Sequence, residues 1–451
     1  MKKILKALQL MTACAVSVSS LGVLTAVAEV TPNPVISRGC PAYSEANPAT
    51  ASAGNDEFYY TFWSGTSPDH LAYDLSSVPE SQREKVIAVW YNTSSYDAIG
   101  SYQSRQNEPS DYTIEVNAAD GGEYPTENWV VVDTVSDNTL SSRQHLVDMK
   151  GYNWIRMNIS KGNGQEGGGV QVNFDIHNVT DGVSDSWILF GDSITAISMN
   201  NCYGTGYATF VNQLDSRYFP IQENGGIGGI TSTDGRNNID RWLSTSPAKY
   251  VSIAYGTNDA WGNQTGAEKY YENTKYMIDA IIAAGKIPVL PKIPYATEAG
   301  VADYLADYEA EIDRLYEEYG DKLFKGPDLE TFFKENPTYL GGDGVHPSDT
   351  GTEALRKYWA ETMYANVYTA EGTTEPTSEE TDITYGDANG DGTVSVADPT
   401  LIMQSLANPN DYTISDEDKP AADVSGNGDG ITADDALAIQ KYLANGTPFD
   451  T

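Results

Sequence analysis

Positive charge is scarce in this chain. Its 451 residues carry 27 Lys and Arg against 64 Asp and Glu, a formal net charge of −37. Such a surface repels phosphate backbones and anionic headgroups, which argues against nucleic acid or membrane as partners. Long apolar runs are also missing beyond the first residues. Residues 1–28 join the basic Lys2, Lys3 and Lys6 to an apolar stretch ending in Ala26-Val27-Ala28, a small-x-small cleavage site. They read as a secretory signal, too short and too interrupted by Ser and Thr to span a bilayer. Its removal takes three lysines and no acid, leaving −40. Cysteine is rarer still, with three in the chain, of which Cys14 leaves with the signal. Cys40 and Cys202 remain as a pair in an oxidising compartment, where a disulfide between them is expected; two free thiols are the alternative. Histidine is limited to His70, His145, His177 and His346.

What is present divides the chain. Residues 29–54 are rich in Pro, Ala and Ser and read as an extended arm. From 55 to 182 the pattern is all-β. Val86-Ile87-Ala88-Val89-Trp90, Tyr112-Thr113-Ile114-Glu115-Val116, Trp129-Val130-Val131-Val132 and Val170-Gln171-Val172-Asn173-Phe174 are short strand-like runs between Gly, Asn and Asp clusters. They predict a β-sandwich. Their order, with Asn153-Trp154-Ile155-Arg156-Met157-Asn158-Ile159 following, resembles galactose-binding-like jelly rolls. Trp63, Trp90, Trp129 and Trp154 are candidate sugar platforms, with burial in the sandwich core the expectation for most of them.

From 183 to 368, buried-strand runs alternate with helical segments. Strands are expected at 187–190, 218–222, 249–255 and 287–291, and helices at 204–215, 267–284, 300–319 and 349–368. This alternation predicts a parallel sheet covered by helices on both faces. Residues 369–384 have almost no apolar side chain and read as a solvated linker. A last small domain occupies 385–448.

Four stretches of the α/β region carry chemistry. Trp187-Ile188-Leu189-Phe190 runs into Gly191-Asp192-Ser193, placing a serine at the carboxyl end of a buried strand, where open α/β sheets bind ligands. Asn224-Gly225-Gly226-Ile227-Gly228-Gly229-Ile230-Thr231 follows the second strand, Gly256-Thr257-Asn258-Asp259 the third, and Asp343-Gly344-Val345-His346-Pro347 precedes the last helix. Acyl transfer needs a nucleophile, a base, a group that holds the base, and donors for an oxyanion. Ser193 can be the nucleophile. His346 is the one histidine of this region, and Asp343 can fix its tautomer. The Ser193 and Gly229 amides and the Asn258 carboxamide can hold the oxyanion, with Gly226 and Gly228 competing for the glycine role. Trp261, three residues after Asn258, and Tyr203 are candidate sugar contacts.

These stretches resemble the four blocks of the SGNH (GDSL) hydrolases. The resemblance implies a flavodoxin-like three-layer fold, with Ser193, Gly229, Asn258 and His346 in the four roles of the name and Asp343 completing a triad. A β-sandwich ahead of such a domain resembles bacterial acetyl esterases of carbohydrate esterase family two.

The tail repeats an acidic loop. Asp387, Asn389, Asp391, Thr393, Ser395 and Asp398 stand at positions 1, 3, 5, 7, 9 and 12, with Gly392 at 6, the spacing of a calcium loop closed by Asp instead of Glu. A second copy offers Asp423, Ser425, Asn427 and Asp429 and is one residue longer, with Asp435 as the expected closing carboxylate. Each loop is followed by an apolar helix. This duplicated loop–helix pattern resembles a type I-like dockerin, which implies calcium for folding and a cohesin module of a scaffold protein as partner. No cofactor is expected for catalysis. The reading is a secreted, cellulosomal carbohydrate O-acetyl esterase acting on plant polysaccharide, acetylxylan foremost. The alternatives are a lipase or aryl esterase of the same superfamily, and a non-catalytic carbohydrate-binding component.

Overall fold

The computed structural model describes residues 30–92, 107–138, 140–201, 204–369, 385–389, 394–408, 412–415, 419–425, 430–445 and 449. The expected signal segment, Cys202, Tyr203, the linker and the loop positions Asp391, Thr393, Asn427 and Asp429 lie outside them. Two compact units divide the chain, Met1–Glu371 and Gly372–Thr451.

The first unit opens with nine strands: β1 (Ala42–Tyr43), β2 (Trp63–Thr66), β3 (Asp69–Asp74), β4 (Lys85–Asn92), β5 (Pro109–Asn117), β6 (Val130–Val135), β7 (Ser142–Asp148), β8 (Trp154–Gly162) and β9 (Gly169–Asn178). They form two antiparallel sheets, ordered β1-β3-β8-β5-β6 and β2-β9-β4-β7. Alternation explains the apolar run of β4. Val86, Ala88 and Trp90 enter the core between the sheets, while Ile87, Val89 and Tyr91 pack outward with Tyr59 and Val179 against Ala208, Phe219 and Ile221 of the following layer. Trp63, Trp90 and Trp154 are fully buried. Trp129 is half-buried beneath the Arg156 guanidinium, 4.1 Å from its ring. Cys40 is a free thiol packed against the sandwich core, its Sγ donating to the Ile36 carbonyl at 3.4 Å. The arm lies along the sandwich and Cys40 is held there; its expected partner, Cys202, lies outside the described residues.

The parallel sheet follows with β10 (Ser186–Gly191), β11 (Ile221–Gly226), β12 (Tyr250–Ala254), β13 (Ile287–Leu290) and β14 (Phe324–Lys325), ordered β11-β10-β12-β13-β14. Its helices are α1 (Ser193–Ser198), α2 (Tyr207–Leu214), α3 (Ser232–Thr245), α4 (Thr257–Ala260), α5 (Ala267–Ala283), α6 (Ala299–Ala302), α7 (Leu305–Tyr319), α8 (Leu329–Glu335) and α9 (Asp349–Met363). Along β10, Ile188 and Phe190 pack with α3, α5 and α7, and Trp187 and Leu189 with α1, α2, α8 and α9. This is the expected three-layer arrangement. The chain order reverses at β10, so the crevice for ligands opens beside its carboxyl end. The second unit contains α10 (Ala397–Ala407), α11 (Lys419–Ala422) and α12 (Ala433–Asn445) around Ala388, Ile402, Ala422, Val424 and Ile439.

Several carboxyls are buried in the first unit. Burial pushes Asp185, Asp192, Glu223 and Glu309 up to about 7 and Asp175 up to about 6. Unfolded carboxyls titrate near 4. Each group therefore favours the fold while the unfolded chain also holds the proton, and that contribution is lost as pH rises from about 4 through 6–7. The melting temperature of this unit is expected to fall between about pH 5 and pH 7.5 in scanning calorimetry. A flat or rising trend would contradict these assignments.

Candidate active site

Gly191 ends β10 and Asp192 caps α1, its Oδ1 accepting from the Ile194 amide at 2.9 Å. Ser193 is thus the first residue of the helix, where its own N–H has no partner inside the helix. The last-block loop brings the base to it. Gly341 N–H donates to the His346 carbonyl at 2.7 Å, Leu340 bridges Pro347, and Ser348 caps α9. Thr297 N–H donates to the Gly344 carbonyl at 2.8 Å. Gly344 has φ +71°, and a Cβ there would stand 2.4 Å from Thr297 Oγ1, so glycine is required.

The result is a relay. His346 Nε2 lies 2.7 Å from Ser193 Oγ, and His346 Nδ1 lies 2.7 Å from Asp343 Oδ2. The tautomer follows from these partners: Nδ1–H donates to the carboxylate and Nε2 accepts from the hydroxyl. Asp343 Oδ1 also accepts from the Val345 and His346 amides, each at 3.0 Å. Burial raises the Asp343 carboxyl, but the bonds from His346 and these amides outweigh it, and the group sits below the ordinary aspartate value. Asp343 is 52 % exposed, so water can partly replace it. Asp343→Ala is accordingly expected to lower turnover of 4-nitrophenyl acetate by about a hundredfold, less than the roughly ten-thousandfold of a buried triad aspartate. An unchanged rate would remove Asp343 from the relay.

The glycine block and the Asn258 block carry the expected oxyanion donors. Ile227 N–H donates to the Gly191 carbonyl at 3.0 Å, pinning the glycine loop to the end of β10. Gly226 is not the donor, because its N–H is spent on Asn224 Oδ1 at 3.0 Å. Gly229 is exposed at φ +77°, a conformation that glycine adopts freely. Asn258 Nδ2 donates to the Ile230 carbonyl at 3.0 Å, which leaves its second N–H for a ligand. The neighbouring Asp259 is fully buried and accepts from Ser232 N at 2.9 Å and Ser232 Oγ at 2.5 Å. Burial raises its pKa against those bonds. Consecutive residues of the third block thus clamp the second. This clamp escaped the sequence reading; its legible trace was the capping box of Thr231 and Asp234 that starts α3. Trp261 ends α4 and is 45 % exposed.

In the second unit the two loops close alike. Asp398 Oδ1 accepts from the Ala388 and Asn389 amides and Oδ2 from the Ser395 amide. Asp435 repeats the pattern with the Val424, Ser425 and Thr432 amides. Asp435, not the exposed Asp434, is therefore the counterpart of Asp398. Asp423 Oδ2 accepts from the Gly430 amide, while its buried Oδ1 has no partner among the described residues. A buried carboxylate oxygen without a donor fits a loop made to hold a hard cation. Among the described residues no three acidic, histidine or cysteine side chains converge on one point.

Residues 189–354 match the GDSL-like Lipase/Acylhydrolase family, and 385–444 match the Dockerin type I domain. The chain carries a GDSL-type acylhydrolase domain and a type I dockerin. A multidomain esterase of Ruminococcus flavefaciens is 27 % identical over 233 residues, 49 % of this chain and 29 % of that protein. A xylanase/beta-glucanase of the same organism is 46 % identical over 67 residues, 13 % of this chain and 8 % of that protein. The chain thus spans less than a third of either relative. Among solved structures, a catalytic mutant of an acetylxylan esterase from Geobacillus stearothermophilus is 21 % identical, covering 41 % of this chain and 94 % of that one with a TM-score of 0.32. A carbohydrate esterase family 3 protein from Talaromyces cellulolyticus is 18 % identical, covering 40 % and 97 % with a TM-score of 0.33. The acylhydrolase match encloses Ser193, Gly229, Asn258, Asp343 and His346, and the dockerin match encloses every expected calcium ligand.

Proposed function

We propose that the acylhydrolase domain is a carbohydrate O-acetyl esterase that deacetylates plant cell-wall polysaccharide, acetylxylan foremost, through an acyl-enzyme. The Ser193–His346–Asp343 relay carries the reading. Ser193 Oγ attacks the acetyl carbonyl carbon as its proton passes to His346 Nε2. The Ser193 and Gly229 amides and the Asn258 carboxamide hold the oxyanion; losing one such donor typically costs about 3 kcal/mol of barrier stabilisation. As the tetrahedral intermediate collapses, His346 returns the proton to the departing sugar oxygen. Water then attacks the acetyl-enzyme with His346 as base, and acetate leaves. Trp261 offers an exposed ring for a sugar to stack on.

The substrate class is supported by the dockerin and by relatives named as an esterase and a xylanase/beta-glucanase. The dockerin would bind a cohesin on a scaffold protein, placing the enzyme outside the cell in a cellulosome. Asp387, Asn389, Asp391, Thr393, Ser395 and Asp398 would hold one Ca²⁺, and Asp423, Ser425, Asn427, Asp429 and Asp435 a second. Calcium there organises the loops and takes no part in catalysis. The test is acetate release across acetylated xylan, mannan and pectin, beside hydrolysis of long-chain acyl esters. Preference for long-chain esters would overturn the reading in favour of a lipase.

A further inference from the structure

The loops that leave the carboxyl ends of the strands surround Ser193. One of them carries a side chain that none of the roles above uses. Glu298 is the N-cap residue of α6 but its side chain makes no capping bond, and its backbone N–H lies 3.4 Å from the Gly344 carbonyl, one residue past Asp343. On the opposite side, Trp261 follows Asn258 by three positions, on the same side of that helical turn. The two meet at Gly300. A Cβ built there would lie 3.5 Å from Trp261 Nε1 and 3.8 Å from Glu298 Oε1. Among the described residues the Trp261 N–H has no acceptor, and the Glu298 carboxylate has neither donor nor cation. An exposed ring, a free N–H donor and a free carboxylate acceptor thus stand together between the oxyanion residue and the triad loop.

Charge on this edge is one-sided. Segments 191–206, 227–231, 255–266, 291–304, 326–328 and 336–348 hold a single Lys or Arg, Lys292. Lys292 is already engaged, with Glu309 at 3.0 Å and Asp313 at 2.7 Å. The same segments hold Asp192, Asp259, Glu298, Asp303, Asp328 and Asp343.

We infer that Trp261 and Glu298 form a sugar-binding subsite that confines this active site to acetyl esters of uncharged sugars. The inference rests on the acetyl-esterase reading and narrows its substrate class. The sugar ring lies on the indole, and its free hydroxyls donate to Glu298 in charge-assisted hydrogen bonds. A uronate would bring a second carboxylate against Glu298, with no available cation to neutralise it. Like charges a few ångströms apart at a solvated surface disfavour binding by about fivefold.

The test compares kcat/KM for acetate release from acetylated xylo-oligosaccharides and acetylated oligogalacturonides at low salt. It uses the full chain, Glu298→Gln and Glu298→Lys. The wild type is expected to prefer the neutral substrate by about tenfold or more, a ratio that shrinks with added NaCl. Glu298→Gln should reduce the ratio about fivefold, and Glu298→Lys should reduce it further. Equal rates on both substrates in the wild type, or a ratio unmoved in both variants, would overturn the inference. Cleavage of 4-nitrophenyl acetate with no acetate from either oligosaccharide would instead overturn the carbohydrate reading on which it rests.

Discussion

Ser193→Ala is expected to cut acetate release by about four to six orders of magnitude while leaving the fold unchanged. The size follows from the relay, whose members act as one unit, so that losing the nucleophile forfeits nearly all of its contribution. What survives is the oxyanion hole and substrate binding, worth about a thousandfold over water. The fold should survive because Ser193 is half-buried and Asp192, not Ser193, caps α1. His346→Ala should fall nearly as far, and the double variant little further than either single one. Additive losses would mean that the two residues do not form one relay. Retained turnover of 4-nitrophenyl acetate in Ser193→Ala, with a normal circular dichroism spectrum, would place the nucleophile elsewhere.

Chelation of calcium is expected to unfold the second unit and leave the first active. The dockerin's apolar cluster is small, centred on Ala388, Ile402, Ala422, Val424 and Ile439. A core of that size cannot order two acidic loops unaided, and binding energy from structural metal then becomes folding energy. EDTA should remove the helical signal of α10 and α12 and abolish cohesin binding, while acetate release stays within about twofold. Restored calcium should reverse both losses. Asp423→Ala should mimic chelation in part, because it deletes a buried carboxylate oxygen that has no partner among the described residues. An EDTA-resistant helical signal, with cohesin binding intact, would refute a folding role for the metal.

The Ser193–His346–Asp343 arrangement was legible because acyl transfer demands particular residue types at loop positions, and because the α/β region has one histidine. The three-layer fold was legible from β10, whose unbroken apolar run requires cover on both faces. β11 was less so. It was expected at 218–222 and runs from Ile221 to Gly226, as Ile-Gln-Glu-Asn-Gly-Gly, a sequence with no strand pattern whose residues are all buried. Its polar side chains are held from other layers: Gln222 Nε2 donates to the Met199 carbonyl, Asn224 Nδ2 to the Ala196 carbonyl, and Ser246 Oγ to Glu223. Such partners lie far away in sequence and leave no local trace. The helix α3 was missed for a related reason. Its buried residues, Ser232, Gly235, Ile239 and Leu243, make too thin an apolar stripe to announce a helix. The span 300–319 proved to be two helices, α6 and α7, broken at Asp303 and Tyr304.

The outward face of β4 has a consequence for how such enzymes can be reshuffled. Ile87, Val89 and Tyr91 are shared property of the sandwich and the catalytic layer. Ser142 Oγ on β7 accepts from the Asn224 amide of β11, and Gln144 Nε2 donates to the Trp187 carbonyl of the nucleophile strand. A gene fragment that begins near residue 183 would strip the cover from the outermost strand, uncovering greasy surface and an open ladder edge that invites self-association. Recombination between modular enzymes of this kind must therefore inherit the sandwich and the hydrolase as one indivisible cassette.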